Sequence, residues 1–224
     1  MASYMISDRL VARLGWVVPS ITFTLSMLIH QISGNSRNFP FFISESDYPG
    51  LERWIFTTGL FLTGLILCYV SFRLWKVHLE KSRRWLMHTS LVCGIWVGAN
   101  VCAISIADMY DHPELHVATA LNAFHFGIVW GVLAHLAVKS DNPIGKRLRV
   151  IAVSIALASI VALTIIMNDA YSKYPDALTP PLDLNVVQAW LDWAAPLEYL
   201  LVIGLFLSLA SFELDFPEDG EEEE

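Results

Sequence analysis

Glu198 places a carboxyl group in the middle of a long apolar run, where an ionisable side chain is costly and is therefore a candidate for function. His116 and His125 lie on another apolar run, nine residues apart. A histidine close to a carboxylate could act as a general acid or base, for example in an acyl hydrolase or transferase. Asn100 and Asn122 lie in similar runs and could steady an oxyanion in such a reaction.

The same side chains also have structural interpretations, which stay open on the sequence alone. An asparagine in a membrane helix often hydrogen-bonds to a neighbouring helix, and a histidine or a protonated carboxyl can pack there without chemistry. Counted along ideal helices at about 1.5 Å per residue, four of the groups lie at similar depth, namely Asn100, Asn122, His125 and Glu198. We therefore predict an outward-facing polar cavity lined by these four groups. Depth favours His125 over His116 as the partner of Glu198.

The elements that position these side chains are six apolar runs, each long enough to cross the ~30 Å hydrocarbon core as a helix. Charged residues make up 16% of the chain, whereas soluble proteins carry about 25%. This composition excludes an ordinary soluble enzyme and a secreted disulfide scaffold. We predict an all-α fold, a polytopic bundle in which residues 1–213 form one transmembrane domain. The predicted spans are residues 11–31, 54–75, 85–107, 115–138, 150–167 and 186–212.

The basic residues predict how the chain is oriented in the membrane. Of the 14 Lys and Arg residues, 11 lie before or at the start of the first span, or in or beside the second and fourth connections. Because such residues stay on the cytoplasmic side, both termini are predicted to be cytoplasmic. The even number of spans agrees with this orientation. The sequence thus predicts an integral multi-pass protein, and it does not indicate which membrane holds it.

Acidic residues are concentrated on the predicted outer side and at the end of the chain. Asp108, Asp111 and Glu114 could form a weak cation site, although their spacing matches no known calcium loop and we expect no dedicated metal site. The net charge of -8 argues against a nucleic-acid partner. Residues 214–224 hold no Lys or Arg and are predicted to form a disordered acidic cytoplasmic tail. Such a tail could bind a basic protein partner.

The first outer connection is unusually aromatic for a linker. It contains the segment FPFFISESDYPG, in which Phe42 and Ser44 stand close to three further aromatic residues, Phe39, Phe41 and Tyr48. Pro40 and Pro49 restrict its backbone. We expect this connection to lie in the outer headgroup layer or to fold over the mouth of the bundle.

Four segments in this order resemble one family of six-span membrane proteins. They are FPFFISESDYPGLERWIF after the first span, GAN in the third, HVATALNAFHFG at the start of the fourth, and LEYLLVIGLFLSLASFELDF through the sixth. The chain is similar to the DRAM (damage-regulated autophagy modulator), Frag and Sfk family. That family also includes the N-terminal domain of Cwh-type proteins and a post-GPI-attachment lipid-remodelling factor. The resemblance covers nearly the whole chain, and it implies a link to membrane lipids.

The resemblance also implies particular site residues. The Ile-Ser motif of the family corresponds to Ile43 and Ser44, and the histidine that opens its fourth span corresponds to His116. The Glu-aromatic pair of its sixth span corresponds to Glu198 and Tyr199. Its asparagine late in the third span corresponds to Asn100. The sequence departs from the family where the DRAM-type ISDTG reads ISESD.

Three functions follow as hypotheses. In the first, the protein binds or organises membrane lipids without catalysis. In the second, it is a lipid-remodelling enzyme in which His116 or His125 acts with Glu198 as acid and base. In the third, it is a transporter or a haem-binding redox protein. His88 and His135 near the inner side are a possible haem pair, but the histidines form no second pair at matched depth, and we expect no cofactor. The expected lipid-binding residues are Phe42, Ser44, Asn100, Asn122 and Tyr199.

Overall fold

The computed structural model describes residues 7–139, 142–179 and 182–216, and six long α-helices make up most of these ranges. All six are long and apolar enough to cross a membrane, which confirms the predicted all-α fold with six spans. The cytoplasmic orientation of the termini stays a prediction. The helices are α1 (Asp8–Ile32), α2 (Leu51–His78), α3 (Arg84–Ile104), α4 (Pro113–Ala137), α5 (Pro143–Lys173) and α6 (Gln188–Glu213).

Two helix starts show how local sequence sets the boundaries. The Ser7 hydroxyl accepts the backbone N–H of Leu10 and caps α1. The Asn142 side chain accepts the N–H groups of Ile144 and Gly145, so α5 begins at Pro143 rather than at the predicted position 150. The predicted span began later because charged residues interrupt the hydropathy there, whereas helical backbone continues through them.

The helices form a ring in which α1 packs against both α2 and α6. Ion pairs join the start of α1 to its neighbours: Arg13 lies 2.5 Å from Glu213 of α6, and Asp8 lies 2.5 Å from Arg73 of α2. We call this end of the bundle the termini face. The opposite end, the loop face, holds the connecting residues 33–50, 105–112, 174–179 and 182–187.

A close helix crossing between α2 and α3 depends on two glycines. A Cβ atom added at Gly64 would lie 2.6 Å from the Gly98 carbonyl oxygen, and one added at Gly98 would lie 2.6 Å from the Gly64 carbonyl oxygen. Only residues without a side chain allow two helix backbones to approach so closely. This contact fixes α3 against α2 on one side of the bundle interior.

A buried arginine holds the end of the described chain at the termini face. Arg149 is fully buried, its guanidinium lies 3.8 Å above the Phe212 ring, and its Nε donates to the Ser211 hydroxyl at 2.9 Å. It also forms an ion pair with Asp215. Phe216 is buried as well, so residues 214–216 pack on the bundle although the tail was predicted to start at 214. The rest of that tail, residues 217–224, lies outside the described residues.

Candidate functional site

A cavity of about 470 Å³ lies between the helices, and all six contribute to its wall. Its volume falls within the roughly 300–1,000 Å³ of typical ligand sites. Most of the wall is apolar, and representative residues are Phe23, Leu60, Val101, Phe124, Val202 and Phe206. The cavity is therefore mainly apolar, in contrast to the polar cavity that the sequence predicts.

The cavity reaches the protein surface between α4 and α5. Four residues both line the cavity and are exposed at the surface: Val117 and Leu121 of α4, and Thr164 and Tyr171 of α5. These two helices pack against each other less closely than α5 packs against α6. Because the opening lies on the sides of two candidate membrane spans, it faces the region that lipid chains occupy.

A short 3-10 turn, Ile43–Ser46, covers the loop-face end of the cavity. Ile43 and Ser44 line the cavity together with Phe42, which precedes the turn. Glu198 Oε2 accepts the backbone N–H of Ile43 at 2.7 Å, and the Tyr199 hydroxyl donates to the carbonyl oxygen of Phe41. Neighbouring residues of α6 thus fasten the first connection over the bundle.

Further polar contacts fix the same turn from other directions. The hydroxyl oxygens of Ser26 and Ser46 lie 3.0 Å apart, and the Tyr110 hydroxyl donates to the Glu45 carbonyl oxygen at 2.8 Å. The Glu45 carboxylate accepts from Arg37 Nε at 2.5 Å and Nη2 at 2.7 Å. The turn is therefore held by α1, by the connection between α3 and α4, and by α6. This agrees with the expectation that the connection folds over the bundle mouth.

His116 is buried, lines the cavity, and has a defined tautomer when neutral. Its Nδ1 lies 2.7 Å from the Ala107 carbonyl oxygen, which can only accept a hydrogen bond. Nδ1 must therefore carry the proton, which leaves Nε2 as the basic nitrogen. The structure brings His116 and Glu198 to one cavity with Ser44 and Phe42, four of the residues that the sequence singles out.

The other predicted residues lie away from the cavity wall. His125 is exposed and its Nδ1 contacts the Leu121 carbonyl oxygen of its own helix at 2.7 Å. The side chains of Asn122 and Asn100 likewise donate to carbonyl oxygens one helical turn earlier, each at 2.9 Å. Depth along a helix does not set the direction of a side chain, and nine residues separate His116 from His125 by about 180° around the axis. The geometry thus pairs the cavity with His116 instead of His125.

An ion network at the loop face was not singled out by the sequence. Arg53 lies 3.7 Å from Asp47, 3.2 Å from Asp108 and 3.3 Å from Asp111. Burial raises the pKa of Asp47 to about 7. Burial opposes ionisation of Asp108 too, but backbone N–H groups of Asp111 and Tyr110, with Arg53, lower its pKa. The sequence feature that could have indicated this network is Arg53 itself, because it is one of few basic residues on the predicted outer side, which is otherwise acidic.

The sequence suggests a weak cation site at Asp108, Asp111 and Glu114, and in the structure the Arg53 guanidinium supplies positive charge there. It contacts Asp108 and Asp111, two of the three residues of that candidate site. Within the described ranges, no group of three or more His, Cys, Asp and Glu side chains could hold a metal ion. The site chemistry that the described residues support is therefore that of an apolar cavity with a histidine and a carboxylate at one end.

Comparison with known proteins identifies the family of the chain. The family profile of the Frag1/DRAM/Sfk1/Cwh43P N-terminal domain matches residues 10–218. No curated protein and no solved structure matches the chain. The match covers nearly the whole sequence and includes all six candidate membrane spans. The chain is therefore an integral multi-pass membrane protein that belongs to the Frag1/DRAM/Sfk1/Cwh43 N-terminal domain family.

Proposed function

We propose that the protein binds the hydrocarbon chain of a membrane lipid in the cavity between its helices. The observation that carries this proposal is an apolar wall combined with an opening between α4 and α5. A lipid chain that enters there stays in an apolar environment throughout, so entry requires no transfer through water. The lipid link implied by the family resemblance agrees with this function.

The dimensions of the cavity support a single lipid chain as its occupant. Glu198 and Ser208 of α6 both line it, and ten residues of helix between them span about 15 Å. That length is half of the ~30 Å hydrocarbon core, which corresponds to one leaflet. Glu198 and His116 mark the loop-face end of this space, where polar groups of a lipid would leave the hydrocarbon.

A cavity-filling substitution tests the proposal. Ala120 lines the cavity, whereas Ala118 on the same helix is exposed and does not line it. In the purified full chain, Ala120→Phe should weaken binding of a tail-labelled phosphatidylcholine roughly tenfold or more, because overpacking costs about 1–3 kcal/mol. Ala118→Phe is the matched control and should leave binding unchanged. Equal binding by the native chain and Ala120→Phe would refute the proposal.

A second candidate function is acyl-ester hydrolysis or transfer on the bound lipid. It is favoured by one observation, the placement of His116 with its basic Nε2 in a cavity that also exposes Ser44 and Glu198. Nε2 would take a proton from an attacking hydroxyl or water and return it to the leaving alcohol. In this function the lipid-binding cavity is the substrate site.

Comparative lipidomics separates binding from catalysis. Cells would express the native chain, His116→Asn or Glu198→Gln, with protein amounts matched. A lipid class whose acyl composition changes only with the native chain would support remodelling. Unchanged lipid chemistry, together with a lipid that still co-purifies with the native chain, would leave binding as the function.

A further inference from the structure

A second space opens at the loop face beside the cavity. It has a volume of about 620 Å³ and shares three wall residues with the cavity, Met109, Leu182 and Leu184. We call it the loop-face pocket. Because these residues line both spaces, the pocket and the cavity are neighbours, and an amphiphile that extends past them could place its chain in the cavity and its polar part in the pocket.

The pocket wall is polar and aromatic where the cavity wall is apolar. It includes the amide side chains of Asn35 and Asn185 and the rings of Tyr48 and Tyr110, whose centroids lie 5.3 Å apart. His30 also lines the pocket and is 1% exposed, and its Nδ1 makes no hydrogen bond although it lies 3.6 Å from Glu52. The pocket therefore offers hydrogen-bonding groups together with an aromatic surface.

The charges on the pocket wall are mainly negative. The wall carries one guanidinium, from Arg37, and three carboxylates, from Glu45, Asp111 and Asp183. Arg37 is already engaged, since it forms two hydrogen bonds to Glu45 and a third to Gln188. The exposed carboxylates of Asp111 and Asp183 therefore dominate the field that a ligand would meet.

The nearest additional cation does not reverse this balance. Arg53 lies 3.3 Å from Asp111, but it also contacts Asp47 and Asp108, so one guanidinium serves three carboxylates. An anionic headgroup would be repelled at this face. A cationic nitrogen would be attracted by the carboxylates, and it would also find the Tyr48 ring, which can hold a cation against its face.

We infer that the loop-face pocket receives the headgroup of the lipid whose chain fills the cavity, and that this headgroup carries a cationic nitrogen. The inference rests on the proposed function. The pocket supplies the selectivity and the cavity supplies the apolar contact. A lipid with an amine in its headgroup is preferred to one with the same tails and a net negative headgroup.

Binding of two matched phospholipids tests the inference. The probes are a phosphatidylethanolamine and a phosphatidylglycerol with the same labelled tails, added to the purified full chain at low salt. The native chain should favour the ethanolamine lipid by roughly two- to fivefold, the range expected from partly exposed charge pairs. The double variant Asp111→Asn, Asp183→Asn should lose this preference, whereas Asp176→Asn, whose site is exposed outside the pocket, should retain it.

Each outcome has a defined meaning. Equal or tighter binding of phosphatidylglycerol by the native chain would overturn the inference, as would an unchanged preference in the double variant. If Ala120→Phe still abolishes binding of both probes, the proposed function survives that failure. If Ala120→Phe changes the binding of neither probe, the proposed function itself is refuted.

Discussion

The Glu198 carboxylate accepts the backbone N–H of Ile43 at 2.7 Å and thereby joins the sixth helix to the first connection, 155 positions earlier in the chain. Glu198→Gln retains an acceptor oxygen, whereas Glu198→Ala leaves the buried N–H without a partner. We expect Glu198→Ala to lower the free energy of unfolding by about 1–3 kcal/mol and Glu198→Gln to have a much smaller effect. Thermal unfolding and limited proteolysis of residues 33–50 measure this difference.

The matched control is Glu80→Ala, which removes an exposed carboxylate at the termini face. It should leave both readouts unchanged. Equal destabilisation by Glu198→Gln and Glu198→Ala would show that the acceptor atom is not what holds the turn.

His116 contributes to stability through Nδ1 and would contribute to chemistry through Nε2. The side-chain amide of His116→Asn can still donate to the Ala107 carbonyl oxygen, whereas His116→Leu cannot. We therefore expect His116→Leu to be the less stable variant by about 1–3 kcal/mol. Thermal unfolding of both variants measures this, and a Leu variant as stable as the Asn variant would contradict it.

Asp47 makes the stability of the loop face depend on pH. Burial raises its pKa from 3.8 to about 7, so between these values the folded chain binds a proton that the unfolded chain has lost. The contribution of Asp47 to stability is therefore present at low pH and is lost as the pH rises towards 7. The Tm of Asp47→Asn minus that of the native chain should grow from pH 4 to pH 7 and then level off.

The same pH series with Asp176→Asn provides the control, because Asp176 is exposed. Its Tm difference from the native chain should stay flat across the series. A flat difference for Asp47→Asn as well would mean that Asp47 keeps its ordinary pKa in the folded protein.

The buried pair of Arg149 and Asp215 should be sensitive to the loss of one partner. Arg149→Met leaves the Asp215 carboxylate uncompensated and is expected to cost about 3–5 kcal/mol. The double variant Arg149→Met, Asp215→Asn removes both charges and should recover most of that loss. The free energies of unfolding of the native chain, the two single variants and the double variant give the coupling energy between the two side chains. Losses that simply add in the double variant would contradict the prediction.

The predicted orientation can be measured with impermeant thiol reagents on intact cells. Asn38→Cys lies on the loop face and Glu80→Cys on the termini face, and both sites are exposed. If both termini are cytoplasmic, only the cysteine at position 38 should react before the cells are opened. Labelling at position 80 alone would instead show that the termini face is outside the cytoplasm.

The sequence predicts the six helices well because a membrane-spanning helix can be recognised from the composition of its own segment. Continuous apolar runs can only be helices in lipid, so a single stretch such as residues 54–75 reveals its helix without knowledge of its neighbours. The start of α5 was less predictable, since Arg149 interrupts the hydropathy and yet lies inside the helix with a buried partner.

The site was harder to predict because it depends on direction and on distant contacts. His125 was favoured by its depth, but its direction around the helix places it on the exposed face. Glu198 was found because a buried carboxyl is rare, whereas its partner could not be found, since Ile43 contributes only a backbone N–H. The role of Arg53 emerges only when three separate carboxylates are seen to converge on it.

The anchoring of the turn at Ile43–Ser46 has a consequence for the order in which the protein is built. Ser26 is made before the turn, but Tyr110 and Glu198 are synthesised and inserted after it. The turn therefore cannot form its complete set of hydrogen bonds until α6 has joined the bundle. Until then the neighbouring aromatic residues Phe41 and Phe42 lack their final packing and remain available to folding chaperones, so docking of this segment follows the insertion of α6.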